Sequence, residues 1–312
     1  LDIALHFKKD YIMLKSGRYY LGRVVKINFT QNQLMDALAK VQPLTIGKFS
    51  WAISDISDQR SHSENPYIFG RLSKFHKEGH VTIVDTNLKS QVDAPQKNLL
   101  AASSPFIYLP KYSGLAYLHV WNGIQETLFS SIFKKLIEAY HGNFFIDCHI
   151  EPVADYRAFT SKLREFDVFT EISAKVYPPN PLFGRLWESL NDYVKKRNAS
   201  ELAVKETSEN GKGTGIQTKI AELMSTILEE QGRAQIADEI APADITDAAL
   251  LMAADGYGHG KVTGIKNGSK IVIRTSETQK NFLFSKEPMP TKLAEEADKH
   301  FKNISIERDM GH

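Results

Sequence analysis

Cysteine is almost missing from this chain: Cys148 is the only one in 312 residues. A single thiol closes no internal disulfide and builds no multi-thiolate zinc site, which points to a reducing, cytoplasmic setting. It stands in the apolar run FFIDCHI, where a buried, inert thiol is expected rather than a nucleophile. There is no run of 18 or more apolar residues, so no membrane-spanning helix is expected. The opening LDIALHFKKD has too short an apolar core for a signal peptide and no cleavage-like site. Its lack of an initial Met suggests an incomplete or processed start. A strong charge of one sign is missing as well. Net charge is only +2, so any affinity for polyanions must come from local clustering.

Complete catalytic signatures are also absent. There is no Gly-x-Ser-x-Gly, no His-Glu-x-x-His and no paired cysteine. GKGTG at 211–215 lacks the upstream glycine and the Gly-Lys-Ser/Thr order of a phosphate loop. GYGHGKVTG precedes a strand rather than a helix, so its glycines are read as permitting a bend or bulge. Arg71 and His76 have the spacing of an RNase motif, but lie in a strand-like run. A non-enzymatic protein without a cofactor is therefore the leading expectation.

What is present is a mixture of helical and alternating patterns, and the fold class it predicts is α+β, with mixed or antiparallel sheets and flanking helices. GRVVKINF alternates as a strand, and Thr30 caps a helix whose Leu34, Leu38 and Val41 share a face. FSWAISDI, YIFGRLSKF and HVTIVDT read as antiparallel strands, residues 86–104 as a connecting segment, and PFIYLP and LAYLHVW as a hairpin around KYSG. A helix is expected over Gln125–His141, stopped by Gly142. Asn143–Gly184 then gives strand, short helix, strand and a PPNP corner, followed by the amphipathic LFGRLWESLNDYVKKR. ELAVKETS reads as a strand and 209–215 as flexible. Ile216, Ile220, Leu223 and Ile227 form one helical stripe, which would pack on the protein's own core or, as the lesser alternative, against a partner protein.

These patterns suggest an α+β core over 1–208, divisible into 1–100 and 101–208, then a helical connector over 209–255 and a basic β-meander with a closing helix over 256–312. Charge is unevenly spread along them. Residues 1–30 carry a net +4 and 219–255 hold two bases against eight acids, while 256–286 reach +5. The basic residues Lys261, Lys266, Lys270, Arg274 and Lys280 are the candidate nucleic-acid contacts, since bases spaced through a β-meander can follow a phosphate backbone. The alternative is a divalent-metal nuclease. Asp147, Glu151 and Asp155 would supply oxygen ligands at a strand end, with His149 as general base.

The strand SPFIYLP, the IEP of Ile150–Pro152, the strand EISAKVYPP and the phrase PLFGRLWESL occur in an order that resembles the RexA-like phage-exclusion (abortive-infection) DNA-binding protein family, over roughly residues 103–205. The resemblance implies a cytoplasmic, dimeric protein of bacterial anti-phage defence that binds DNA, duplex DNA being favoured, beside a membrane-protein partner that carries out the lethal step. It carries over no catalytic residues.

Overall fold

The structure, a computed structural model, describes residues 16–61, 65–87, 89–142, 145–178, 183–184, 187–208, 215–229, 243–308 and 310–311. The basic residues before position 16, most of the PPNP corner, the stretch 209–214 expected to be flexible, and 230–242 of the acidic segment lie outside the described residues.

In chain order the elements are β1 (Ser16–Ile27), α1 (Gln31–Lys40), β2 (Leu44–Ile46), β3 (Phe49–Asp58), β4 (Ile68–Asp85), β5 (Ser90–Leu109), β6 (Gly114–Leu118) and α2 (Glu126–Tyr140). There follow β7 (Asp147–Pro152), α3 (Tyr156–Leu163), β8 (Val168–Val176), β9 (Phe183–Gly184), α4 (Glu188–Lys196), β10 (Leu202–Thr207), α5 (Ile220–Glu229) and α6 (Ile245–Met252). The chain ends with β11 (Gly258–Lys266), β12 (Ser269–Arg274), β13 (Asn281–Ser285), α7 (Pro290–Glu307) and β14 (Met310–Gly311). This is an α+β fold built on antiparallel sheets. No helix among the described residues is long and apolar enough to cross a membrane.

Local chemistry accounts for several element ends. Thr30 and Gln33 form a reciprocal capping box at the start of α1, satisfying donors that a helix N-terminus otherwise leaves open. Asn267 and Gly268 both take positive φ at the β11–β12 turn, as a two-residue hairpin of matching twist requires.

The large sheet runs β13-β1-β6-β5-β4-β3-β2, and β7 also pairs with β1. One core lies between it and the helices α1 and α2, where Leu34, Leu38, Phe129 and Phe133 meet Trp51, Leu72 and Phe106. A second sheet, β10-β8-β11-β12, shares the other core. Ile172, Val176 and Val262 pack there with Leu21, Ile107, Leu250 and Phe301. The stripe on α5 belongs to this core as well: Ile220 is fully buried, and Ile216, Leu223 and Ile227 pack against the cluster.

Two sequence expectations are corrected. Residues 86–104 are not a connector; all but the turn belong to β5, a 20-residue strand paired with β4 from Ile68↔Tyr108 to Asp85↔Ser90. Pro95 and the polar composition disguised it, yet a proline is tolerated where a strand edge has no further ladder to donate to. The second correction concerns 256–312, which is not a separate module. β11 pairs with β8, β13 pairs with β1, and α7 packs into the shared core, because the inward residues of these strands have no apolar partner except the rest of the chain.

Where the two sheets meet, the chain makes a wide turn over Ala253–Tyr257, with Gly256 at φ +87°. Asp255 sits buried at its centre. Tyr156 Oη donates to Asp255 Oδ1 at 2.7 Å, Trp187 Nε1 to Oδ2 at 2.7 Å, and Arg308 Nη1 to Oδ1 at 2.8 Å. Arg23, itself fully buried, donates Nε to the Asp255 carbonyl at 2.8 Å and Nη1 to that of Tyr112 at 2.6 Å. Burial and the neighbouring Asp255 push the Tyr156 phenol well above its usual range, so it remains a donor. The Asp255 carboxylate thus ties α3, the start of α4 and the end of α7 together, and its backbone carbonyl adds β1 through Arg23.

Candidate nucleic-acid interface

The second sheet has one covered and one open face. Strand alternation turns Ile172, Ala174, Val176, Val262 and Ile273 inward, and the residues between them outward. Register then aligns cations across the open face: Lys205 lies opposite Ser173, Ser173 opposite Lys261, and Lys261 opposite Arg274. Three strand spacings separate the ends of this row, about 14 Å. The side chains of Lys205, Lys261 and Arg274 are 61%, 39% and 58% exposed. In the next row Lys175 lies opposite both Ala203 and His259. Lys270 shares the face by alternation, four residues before Arg274 on β12.

Carboxylates stand among these cations. Glu171 pairs with Lys261 at 2.5 Å and with Lys205 at 3.1 Å, and those two bonds hold its carboxyl below the usual range. Lys175 pairs with Glu201 at 2.6 Å and Arg274 with Glu277 at 3.3 Å. Ion pairs whose cations face solvent contribute little to stability, so a polyanion can compete with the carboxylates for them. His259 lies 3.8 Å from the buried Glu151, which raises its imidazole above the ordinary 6.5.

The five basic residues expected from sequence therefore divide. Lys261, Lys270 and Arg274 share the open face. Lys266 turns away to Glu165 at 2.5 Å, and Lys280 pairs with Glu307 at 3.2 Å with only 21% of its side chain exposed. Tyr257, at the start of the basic stretch, is buried under the Arg23 guanidinium, 5.1 Å from its ring centroid. Lys175 and Lys205 were missed; their signal was the alternation of EISAKVY and ELAVKETS, which puts Glu171, Lys175 and Lys205 on one face and turns Glu206 to the other.

The acidic cluster does not converge. Asp147 accepts from Lys134 Nζ and from the Cys148 amide, and pairs with His149 at 2.9 Å. Burial works against ionisation there, but Lys134, His149 and the Cys148 amide together outweigh it and the carboxyl is lowered. His149 stacks on Tyr177 with ring centroids 5.3 Å apart, Glu151 faces His259, and Asp155 caps α3 by accepting from the Ala158 amide at 3.0 Å. Among the described residues no group of three or more candidate metal ligands forms. A cavity of about 260 Å³ beside the end of β1 is lined by none of these four residues. Cys148 is fully buried, and burial pushes its thiol up to about 12, too high for a nucleophile at neutral pH. Arg71 and His76 have separate partners: Arg71 pairs with Asp55 and Glu287, and His76 packs on Phe49.

Residues 32–239 match the model of a family described as a domain of unknown function, DUF4747. The match takes in more than half of the chain, which therefore belongs to that family. A comparison with curated proteins finds no match. Lys175 and Lys205 lie inside the matched region, whereas Lys261, Lys270 and Arg274 lie beyond it.

Proposed function

We propose that the chain is a non-enzymatic nucleic-acid-binding protein that holds the phosphate backbone of duplex DNA on the open face of its smaller sheet. One observation carries this reading: Lys205, Lys261 and Arg274 occupy a single row across that face, and one carboxylate, Glu171, is shared by both lysines. Among the described residues no helix is offered to a groove by this face, so contacts would go to phosphate and selectivity among sequences would be low. The likeness to the RexA-like phage-exclusion proteins over residues 103–205 supports placing this binding in bacterial anti-phage defence, in the cytoplasm and beside a membrane partner.

Fluorescence anisotropy with a labelled duplex tests the reading. Four or five phosphate contacts should lower affinity by roughly a hundredfold between about 50 and about 200 mM salt. Absence of binding at the lower concentration, or affinity indifferent to salt, refutes it.

A pH series at fixed salt adds an independent check. The pKa of His259 is raised, so its charge is complete below the ordinary 6.5 and is lost as pH climbs through the higher folded value. Affinity should accordingly weaken by a few-fold from about pH 6.5 to about pH 8, and His259→Gln should abolish that dependence. An unchanged pH profile in the variant removes His259 from the interface.

A further inference from the structure

The smaller sheet runs β10-β8-β11-β12, so among the described residues β10 has β8 on one side and no strand on the other. The Ser208 amide donates to the Thr170 carbonyl at the end of β8, at 3.0 Å. An antiparallel strand turns the N–H and C=O of alternate residues to opposite sides, so Leu202, Val204 and Glu206 also address β8. Glu201, Ala203 and Lys205 then address the outer edge, and no described loop bonds to their backbone groups. Such an edge is a template for a further strand.

The side chains along this edge are symmetric about Ala203. Leu202 and Val204 flank it on the covered face, partly buried against the core. Glu201 and Lys205 flank it on the open face, an acid two residues before and a base two residues after. Glu201 is placed on that face by its pairing with Lys175 at 2.6 Å. Both side chains remain accessible, 48% exposed for Glu201 and 61% for Lys205.

We infer that β10 pairs with the β10 of a second copy, antiparallel about a two-fold axis that passes through Ala203 normal to the sheet and joins the two four-stranded sheets into one. A two-fold contact must be self-complementary, and this register is so at every position. Ala203 meets Ala203, a small residue at the axis. Leu202 of each copy meets Val204 of the other on the covered face, and Glu201 of each meets Lys205 of the other on the open one. The residues set opposite each other, 201 with 205 and 203 with 203, are those whose backbone groups point outward, as a hydrogen-bonded pair requires. Moving the axis to Lys205 or to Glu201 would instead set like charges face to face. The partners these charges already have lie further in, Glu171 on Lys205 and Lys175 on Glu201. The contact therefore continues an alternation of sign across the axis and takes no charge from its partner.

Sedimentation velocity on the whole chain, without DNA and over a range of concentrations, tests the inference apart from the proposed DNA binding. The contact from Glu201 to Lys205 is small, so wild type should exchange between monomer and dimer at micromolar concentrations. Ala203→Pro removes the central donor of each copy, an N–H that points away from β8. It should raise the dimer dissociation constant by about tenfold or more with the circular dichroism unchanged. Lys205→Glu and Glu201→Lys should each weaken the dimer, and the two together should dimerise more tightly than either alone, since the swapped pair again meets its opposite across the axis. This charge exchange alters only exposed side chains, so it decides the matter even where the proline disturbs the strand. A wild type that is monomeric throughout overturns the inference, as does a dimer that a well-folded Ala203→Pro leaves intact. So does a double variant no tighter than the single ones.

Discussion

Asp255→Ala should lower the unfolding free energy by about 3–5 kcal/mol, because removing one partner of a buried ion pair strands the other. Arg308 has a side chain only 1% exposed, so its charge would have no solvent to turn to. Its Nη2 still reaches the Ala154 carbonyl at 2.5 Å and its guanidinium lies 3.9 Å from the Tyr156 ring centroid, which leaves its charge to the Glu307 carboxylate, 3.7 Å from Nε and shared with Lys280. Tyr156 and Trp187 would lose acceptors in the same step, and each buried orphan costs about 1–3 kcal/mol. Against a typical total of about 5–15 kcal/mol, the variant should unfold at a much lower urea concentration, with Trp187 fluorescence as one reporter. Adding Arg308→Met removes the stranded charge, so the double variant should be less destabilised than the sum of the two singles. A shift below about 1 kcal/mol in Asp255→Ala would show that the network is not what joins the two sheets.

Replacing Lys205, Lys261 and Arg274 together by Gln should weaken DNA binding by about a hundredfold at low salt and reduce the salt slope by about three. All three are surface side chains on the solvent side of the sheet, so the fold should be retained. Lys266→Gln and Lys280→Gln provide the contrast. They lie in the same basic stretch of sequence but not on the open face, and their binding curves should overlay wild type. If all five positions contribute alike, the row across the sheet is not the interface, and simple basicity explains the binding.

That contrast shows what could be read from the sequence and what could not. α1 was legible because its signals are local: Thr30, Gln33 and the spacing of Leu34 and Leu38 lie within a few residues of one another. The β11–β12 hairpin was legible for the same reason, through Asn267 and Gly268. The outer part of β5 was missed because it is solvated, and a ribbon with no core beneath it has little apolar alternation to reveal; its inner end, in PFIYLP, was read as a strand. The row Lys205–Lys261–Arg274 was only partly visible, since adjacency in a sheet depends on register between segments far apart in the chain. Lys266 and Lys280 show the converse, being neighbours in composition but not in space. Asp255 was hidden most thoroughly. In sequence it is one more acid in an acidic stretch, and only the arrival of Tyr156, Trp187 and Arg308 from three other elements makes it a hub.

The pairing of β1 with β13 bears on how the molecule is made. Tyr19 Oη donates to the carbonyl of Ser285, 266 positions further on, so the large sheet cannot finish until nearly the whole polypeptide has left the ribosome. During synthesis the edge of β1 stays open, an invitation to mispairing that a nascent chain must survive or have shielded by chaperones. A chain cut before β13 would leave the β1 edge from Ser16 to Tyr20 without its partner. The stretch that matches the family model, 32–239, likewise leaves out β1 of the larger sheet and β11 of the smaller one.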